Sequence, residues 1–454
     1  MNKYSLSALA AAGLLMGGLS VSTANAADLG GDCCADLEER VAELEATTAR
    51  KGNRKVSLTI SGMVAQQILA WDDGQESNVY VTDTGSVSIG SHFALAGEAK
   101  IAPGYSAGFA IKLETMSNDS LGVSQNTDDG GNVFADAVQN GGAVALESAY
   151  WYLKSEQLGR VSVGQQGSAA DNQAIIVDGS GSLIQANYVL YDVRSFVTRN
   201  AGGYTGFTWG ALADCKTVGG GTVAADCDGY PNNNVRYDTP TFGGFSASAS
   251  WGEDDIWAVS GRYAGEFSGF KFAAAVAYVH STDETSVIPA TNGVAAGNGG
   301  KDAGHVQTGA YLEHTPSGLF VYGAYGYEDP EVTGAVRGAG RTNPDGENYY
   351  VKAGIKGKWL PYGGTTFYGE YGRNDDKFTD GMFDAGVNAS ELEQYGIGVV
   401  QNIDAAAMSL WLSWRHYEGD VDCAGAGCAG IGLNAGSNSL EEFDIIKAGA
   451  LITF

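Results

Sequence analysis

Few residues of this chain have the types and spacing that acid–base or nucleophilic chemistry would need. The 454 residues include five histidines, and none stands in a G-x-S-x-G elbow or an H-E-x-x-H helix, the motifs that place a histidine beside a nucleophile or a metal. These histidines are His92, His280, His305, His314 and His416. Acidic clusters at 71–76, 127–132 and 226–230 lack the complete EF-hand loop, so calcium binding there stays open. The sequence therefore assigns no catalytic residue, no cofactor and no metal site.

The six cysteines indicate structural redox chemistry instead. Cys215 lies close to Cys227, and Cys423 lies close to Cys428, so we predict one local disulfide in each pair. No histidine lies at zinc-finger spacing from these pairs, which makes zinc ligation a poor alternative. Cys33 and Cys34 are adjacent, and whether they pair between subunits stays open. Disulfides persist outside the cytosol, so the cysteine usage favours an exported protein.

The N-terminus also predicts export. Residues 1–26 carry one basic residue, Lys3, then an apolar stretch and the small-x-small sequence Ala24-Asn25-Ala26, a combination typical of a cleaved signal peptide. A transmembrane anchor is the poorer interpretation, because the apolar stretch is shorter than the ~20 residues that a helical span needs. The chain is strongly acidic, with a formal net charge of −27. Such a chain repels nucleic acid, which we exclude as a partner.

From residue 55 onward, apolar and polar residues alternate with the period of two that is typical of β-strands. In "NYYVKAGIKGKW" (348–359), for example, Tyr349 and Val351 share one face and Lys352 lies on the other. Each such segment has roughly ten residues, which at the tilt of a barrel strand matches the thickness of a bilayer. The segments span approximately 55–71, 90–101, 107–117, 145–155, 159–167, 233–240, 244–252, 255–264, 269–281, 304–314, 318–328, 347–358, 363–373, 392–403, 406–417 and 440–454. We therefore predict an all-β fold, a sixteen-stranded antiparallel transmembrane β-barrel over 55–454, whose apolar face meets lipid.

Short and long connections between these segments largely take turns along the chain. Tight turns such as 102–108 and 360–364 alternate with long polar stretches such as 282–303 and 418–439. A barrel with short periplasmic turns and long outer loops has this pattern. Near Glu253–Asp255 the long connection that is due is nearly absent. Either that outer loop is very short, or the strand boundaries there are wrong by a few residues.

A short heptad pattern precedes the barrel in residues 27–54. Its seam residues are Cys34, Leu37, Val41, Leu44 and Thr48. So short a helix is marginal alone, but copies already held together by another element would meet at a raised effective concentration. We expect a periplasmic coiled-coil segment. A solvated tail, a helix packed on its own domain and a contact with the cell wall are the alternatives.

Several segments closely resemble the alphaproteobacterial porin family, in particular general porins of the rhizobial type. The resemblance is carried by "CCADLEERVAELEATTARKGNRKVSLTISG" (33–62), "LAGEAKI" (95–101), "LGRVSVGQ" (158–165) and the terminal Phe454, which also resembles the signal that barrel-assembly machinery reads. It implies a homotrimer in the bacterial outer membrane, surrounded by lipid, that passes ions and small hydrophilic solutes by passive diffusion. It also implies that the loop after the fifth strand folds into the lumen and sets the constriction.

That loop corresponds here to residues 168–232, far longer than an ordinary connection. A porin constriction opposes acidic loop residues to basic residues of the facing wall, and the transverse field orients dipolar solutes. The acidic candidates are Asp171, Asp178 and Asp192. The basic candidates are Lys112, Arg236, Arg262, Lys352 and Arg415, which face inward by the strand period, together with Arg194 on the loop itself. Any one of them could be a solvated charge away from the constriction, and Asp192 could pair with Arg194. From these acids and the acidic outer loops we expect a weak preference for cations.

Other functions of the same barrel remain alternatives. A channel selective for a sugar or another nutrient would have a saturable site in its lumen. An adhesin or receptor that uses the barrel as a scaffold would have an occluded lumen. An outer-membrane phospholipase would need a Ser–His pair on the lipid-facing wall, where His280 or His416 could serve. A histidine of the aromatic girdle is the better interpretation of both residues, so we predict no enzymatic activity.

Overall fold

The computed structural model describes most of the predicted barrel. It covers residues 56–85, 89–115, 117–128, 144–188, 192–215, 224–227, 231–285, 300–333 and 344–454. The predicted signal peptide and the coiled-coil segment, with its seam residues and Cys33, lie outside the described residues. Both therefore stay predictions.

Twenty strands in the described residues form nearly all of the regular structure. They are β1 (Thr59–Asp72), β2 (Ser77–Thr82), β3 (His92–Ala102), β4 (Tyr105–Thr115), β5 (Val144–Ser155), β6 (Gly159–Gln166), β7 (Val197–Asn200), β8 (Gly203–Thr208), β9 (Asn232–Asp238), β10 (Phe245–Gly252), β11 (Trp257–Phe267), β12 (Phe270–Thr285), β13 (Gly300–His314), β14 (Leu319–Thr333), β15 (Gly346–Leu360), β16 (Gly363–Asp375), β17 (Val387–Ile403), β18 (Met408–Cys423), β19 (Gly436–Ser439) and β20 (Phe443–Thr453). Every segment predicted from the sequence overlaps one of these strands.

The strands close into one antiparallel barrel. The main sheet has 18 strands, but β2 pairs with the outer part of β1 and β19 with the outer end of β18, beyond the points where β3 and β20 pair with them. The other sixteen strands form the closed wall, as predicted. Closure occurs where β1 pairs with β20 from Met63 and Thr453 upward. Next to Met63 and Thr453, Gly62 and Phe454 form two reciprocal backbone hydrogen bonds, with N–O distances of 2.9 and 3.0 Å.

The outer face of the wall is apolar, because lipid replaces a protein core as its solvent. In β15 the side chains of Tyr349 and Val351 are exposed outward, whereas Tyr350 and Lys352 between them are buried inside. Other exposed apolar residues of this face include Val64, Ile68, Trp151, Val276, Phe367, Ile397, Leu412 and Ile446. The period of two therefore separates lipid-facing from inward-facing residues as the sequence predicts.

Two details of the connections bear on the site. Between β10 and β11 the chain makes a single 3-10 turn at Glu253–Asp255, so that outer loop is very short, which was one of the two alternatives. Between β6 and β9 lies a long insert, residues 167–231. Its described parts contain two short helices, α1 (Gln173–Ile176) and α2 (Leu183–Ala186), and the hairpin of β7 with β8. A third helix, α3 (Asp380–Ala385), lies between β16 and β17. None of the described helices is long and apolar enough to cross a membrane.

The insert packs inside the barrel through two large apolar clusters, besides a small one where Ala169 and Ala170 meet β11 and β12. Near the outer end, Phe196 and Trp209 of the insert meet Trp71, Tyr417 and Phe443 of the wall, with a centroid distance of 4.9 Å between Phe196 and Phe443. Deeper in the lumen, α1 and α2 pack on inward tyrosines of β14–β16. Because both clusters are buried, the hydrophobic effect holds the insert against one side of the barrel.

Candidate pore constriction

A buried ion pair holds the first half of the insert to the wall. The Lys352 ammonium on β15 lies 2.6 Å from a carboxylate oxygen of Asp178, and both side chains are 0% exposed. Asn187 completes the contact: its amide nitrogen donates to Asp178 over 3.0 Å, and its amide oxygen accepts from Lys352 over 2.7 Å. Each charge is paired and hydrogen-bonded, which buried charges require.

A second group of charges holds the far end of the same segment. Asp192 accepts hydrogen bonds from Lys447 on β20 and from Gln67 on β1, the latter over 3.0 Å. Arg415 on β18 donates to Glu370 on β16 over 2.8 Å and to the backbone oxygen of Ala186 over 2.8 Å. One of its guanidinium nitrogens also lies 3.9 Å from Asp192. Strands β1, β18 and β20, on both sides of the barrel closure, therefore all contact Ala186 or Asp192 of the insert.

Uncharged contacts continue this attachment along the wall. Gln307 on β13 accepts from the Ala174 backbone nitrogen over 2.8 Å and donates to the Ala170 oxygen over 3.0 Å. Tyr322 donates to the Ala174 oxygen over 2.8 Å, and Thr366 donates to the Ser180 oxygen over 3.0 Å. Next to them, a Cβ atom at Gly309 would collide with the Ala174 carbonyl, so glycine there permits α1 to lie directly on the strand. We call this side of the lumen the covered wall, defined by Gln307, Tyr322, Lys352, Thr366, Arg415 and Lys447.

The opposite side of the lumen faces open space. A cavity of about 850 Å³ separates the insert, at Asp171 and from Gln173 to Gln185, from strands β4, β5, β6, β9 and β11. It extends to the end of the barrel where Thr453 and Phe454 lie. We call this side the open wall, defined by its charged residues Lys112, Glu147, Arg160, Arg236, Asp238 and Arg262. A solute in the cavity would pass between the insert and this wall.

The charges of the open wall are mostly basic but partly compensated. Lys112 lies 2.6 Å from Glu147, and Arg160 and Arg236 each lie 2.9 Å from Asp238. Arg236 also donates to the backbone oxygen of Ser168 over 2.8 Å, which fixes the start of the insert. Arg262 makes no ion pair within the described part of the chain. The wall therefore carries an excess of positive charge toward Asp171.

The sequence predicted a different position for four of these charges. Asp178, Asp192, Lys352 and Arg415 were expected to oppose one another across the constriction. They are at most 4% exposed and form ion pairs where the insert meets the wall, although Asp178 also borders the cavity. The strand period shows which side chains point inward and not which of them another segment covers. Arg194, assigned to the pore wall, lies on the insert beside Gly210, whose backbone nitrogen donates to its carbonyl over 3.2 Å. It does not line the cavity described above.

Three charged residues with clear roles were not singled out from the sequence. Lys447 and Glu370 point inward by the same strand period that selected Lys352 and Arg415, so the signal was present. Arg160 begins β6 and also points into the cavity. The remaining candidates, Asp171, Lys112, Arg236 and Arg262, lie together around the cavity. Their part in a constriction stays a prediction.

Comparison with known proteins agrees with this architecture. A model of the Gram-negative porin family matches residues 7–410. The chain belongs to this family. As a porin it forms a channel in the outer membrane of the cell. Among curated proteins, no sequence matches this porin.

Solved structures share the fold of this porin at low sequence identity. A loop L8 deletion mutant of OmpT, an outer membrane protein of Vibrio cholerae, is 12% identical, with a TM-score of 0.50 over 88% of this chain and 100% of that chain. In-vitro folded OmpT in its trimer form is 11% identical, with a TM-score of 0.50 over 88% of this chain and 99% of that one. At these identities the likeness concerns the fold alone.

Both predicted disulfides of the porin are present. Cys215 is bonded to Cys227, with Cα atoms 5.4 Å apart, and Cys423 to Cys428, with Cα atoms 5.9 Å apart. The first bridge lies in the second half of the insert, where the Cys227 sulfur is 3.1 Å from the Lys377 ammonium, itself paired with Glu328. The second closes the turn after β18. The first bridge therefore closes a loop within the insert, and the insert's attachment to the wall near it is the non-covalent contact with Lys377.

The outer entrance holds a buried acidic pair outside the membrane-spanning strands. Asp83, in the connection between β2 and β3, is 0% exposed, as is Asp119. Burial and the neighbouring charge of Asp119 raise the pKa of Asp83 to about 6, although backbone N–H groups of Gly85, Ser117 and Ser120 lower it in part. At pH 7 this carboxylate is ionised against a desolvation cost. Ionised Asp83 therefore destabilises the entrance, and protonation at lower pH relieves this cost, whereas the acids of the covered wall are paired with bases.

Proposed function

We propose that the porin is a general diffusion channel whose narrowest section lies between the insert and the open wall. Asp171 then forms the acidic side, and Lys112, Arg236 and Arg262 form the basic side. The observation that supports this most strongly is the cavity of about 850 Å³, which all four of these groups border. Small hydrophilic ions and solutes are the substrates that fit a water-filled passage lined by charges.

The charge balance of this section favours anions. The weak cation preference expected from the sequence relied on three acidic residues, but Asp178 and Asp192 are neutralised by Lys352, Lys447 and Arg415. Asp171 then faces a wall with an uncompensated Arg262. The acidic outer loops still attract cations, although only within about a Debye length, ~10 Å at 0.1 M salt and ~3 Å at 1 M. We therefore propose a weak anion preference that is clear at high salt and shifts toward cations at low salt.

The reversal potential of the porin in a planar bilayer tests this proposal. A KCl gradient centred near 1 M should give a potential on the anion side, and one centred near 0.1 M should move it toward the cation side. A cation-side potential at both concentrations would contradict the assigned constriction. Current that saturates with one nutrient solute would favour a selective channel, and absence of current would favour an adhesin or receptor.

We further propose that three barrels associate, and that the chain is a channel and not an enzyme. The heptad seam of residues 34–48 and the trimer form of OmpT support the trimer. The motifs at 33–62, 95–101 and 158–165 support the narrower assignment to the alphaproteobacterial porins. Native mass spectrometry in mild detergent should give three copies, and deletion of residues 32–50 should lower the temperature at which they separate. A monomer alone would overturn the trimer.

A further inference from the structure

We propose that the outward face of the barrel binds one divalent transition-metal ion of the Zn²⁺ class, through His416, Glu418 and Glu442. His416 and Glu418 follow each other on the same face of β18, and Glu442 immediately precedes β20. One imidazole nitrogen and two carboxylate oxygens lie within 4.8 Å of one another. The site lies outside the lumen and is independent of the proposed constriction.

The imidazole is turned so that its Nε2 atom points into this group. The His416 side chain is 8% exposed, and Nε2 lies 3.3 Å from an oxygen of Glu418 and 3.8 Å from an oxygen of Glu442. Nε2 nevertheless makes no hydrogen bond within the described residues. Ligands at about 2.1 Å from a tetrahedral zinc ion lie roughly 3.4 Å apart, so the two separations from Nε2 are close to those of ligands around one ion.

A second carboxylate fixes the orientation of the ring from behind. Asp444, the register partner of His416 on β20, lies 3.0 Å from Nδ1, so that the ring donates there and keeps the lone pair on Nε2. The same Asp444 oxygen accepts from the Trp414 indole over 2.8 Å. Histidine ligands of metals commonly donate their other nitrogen to a carboxylate in this way. Tyr395 packs against the ring at a centroid distance of 4.9 Å and an interplanar angle of 35°, and its hydroxyl donates to Glu418 over 3.2 Å.

The ligand types select the metal. Imidazole suits Zn²⁺ and neighbouring transition metals, whereas Ca²⁺ and Mg²⁺ prefer oxygen ligands alone. The glutamates are partly exposed, 47% for the Glu418 side chain and 72% for Glu442, so an ion can enter from water at the outer rim. Water would complete the coordination. A bound ion would tie β18 to the segment that enters β20.

Equilibrium dialysis of the full-length, EDTA-treated porin against Zn²⁺ tests the proposal. We expect one ion per subunit in the wild type and at least about a tenfold loss of affinity in Glu442→Gln and in His416→Gln. Glu442 is mostly exposed, so Glu442→Gln should fold even if His416→Gln does not. The heat-modifiable mobility of each variant in gel electrophoresis reports whether it has folded. Zn²⁺ should also raise the thermal transition of the wild type and not that of Glu442→Gln, because a ligand of the folded state alone stabilises it.

His280→Gln is the matched control. His280 also lies on the outer face near the outer end of its strand, pairs with one carboxylate, Asp302, at 3.1 Å and stacks on Trp257. Its loss should leave the number of bound ions unchanged. Asp444→Asn, a change at a positioning residue, should weaken Zn²⁺ about 10–100-fold and shift the visible absorption of bound Co²⁺ while one ion still binds. The proposal is overturned if Zn²⁺ does not bind, if binding survives Glu442→Gln, or if Ca²⁺ binds as tightly as Zn²⁺.

Discussion

The covered wall and the open wall carry the same kinds of basic residue, but these residues have different roles on the two sides. On both sides of the lumen, lysines and arginines point inward from alternate strand positions. On the covered wall, Lys352 and Lys447 meet acids of the insert and are excluded from water. On the open wall, Lys112 and Arg262 border the cavity. Whether a segment lies over an inward charge therefore decides if that charge fixes structure or meets solutes.

Breaking the Asp178–Lys352 pair should have the largest effect. Lys352→Met leaves a buried carboxylate without its cation, which typically costs about 3–5 kcal/mol. We expect this loss to appear as faster amide hydrogen exchange in residues 172–187 and as noisier open-channel current. Lys112→Met, which breaks the Lys112–Glu147 pair of the open wall, is the control and should leave exchange in that segment unchanged. Equal exchange in both variants would mean that the apolar contacts alone hold the insert.

Reduction of the disulfides should have a smaller, position-dependent effect. Closing loops of this length stabilises by about 2–3 kcal/mol in the chain-entropy account. Replacing Cys215 and Cys227 by serine should increase proteolysis of the insert, because this bridge closes a loop within it, while the channel still conducts. The same replacement at Cys423 and Cys428 should leave the insert as resistant as before. Closed channels in the first variant would show that the bridge is needed to keep the lumen open.

The entrance should respond to pH in the direction set by Asp83. Its pKa is raised from 3.8 to about 6, so the folded entrance binds the proton more tightly than the unfolded chain does. Stability of this region is therefore greatest at low pH and is lost as the pH rises from about 4 through 6. Amide exchange at 117–121, corrected for its intrinsic pH dependence, should be several-fold slower at pH 5 than at pH 7. Asp83→Asn should abolish this difference, and persistence of the difference would assign it to another group.

Neutralising the open wall should have the smallest effect in energy. One charge at ~4 Å in water changes the energy of an ion by about 1 kcal/mol, roughly fivefold in occupancy. Arg262→Gln should thus move the permeability ratio toward cations by no more than about that factor. Lys358→Gln removes an equal charge from an exposed site, where the side chain is 77% exposed, and should change nothing. A closed or unstable channel in Arg262→Gln would place Arg262 among the structural charges.

Local sequence pattern predicted the wall far better than the lumen. The period of two located all sixteen barrel strands and the inward direction of Lys352 and Arg415, because lipid imposes that period on each strand separately. The Asp178 partner of Lys352, and the contacts of Arg415 with Ala186 and Asp192, depend on how a segment more than 150 residues earlier in the chain lies across the lumen. No spacing along β15 or β18 encodes that path. Asp192 consequently meets Lys447 and Gln67, residues from opposite ends of the barrel sequence.

The pairing of β1 with β20 has a consequence for how the barrel forms. These strands are nearly 400 residues apart, from Met63 to Thr453. Their contact therefore has the greatest sequence separation in the wall, and forming it has the largest cost in loop-closure entropy. Until it forms, two strand edges expose unpaired N–H and C=O groups, which hydrocarbon cannot satisfy. An incomplete sheet therefore carries the free-energy cost of unpaired backbone groups along both edge strands. Pairing of β1 with β20 removes this cost. We therefore expect insertion into the membrane and closure of the barrel to be coupled, because a sheet with open edges is disfavoured in hydrocarbon.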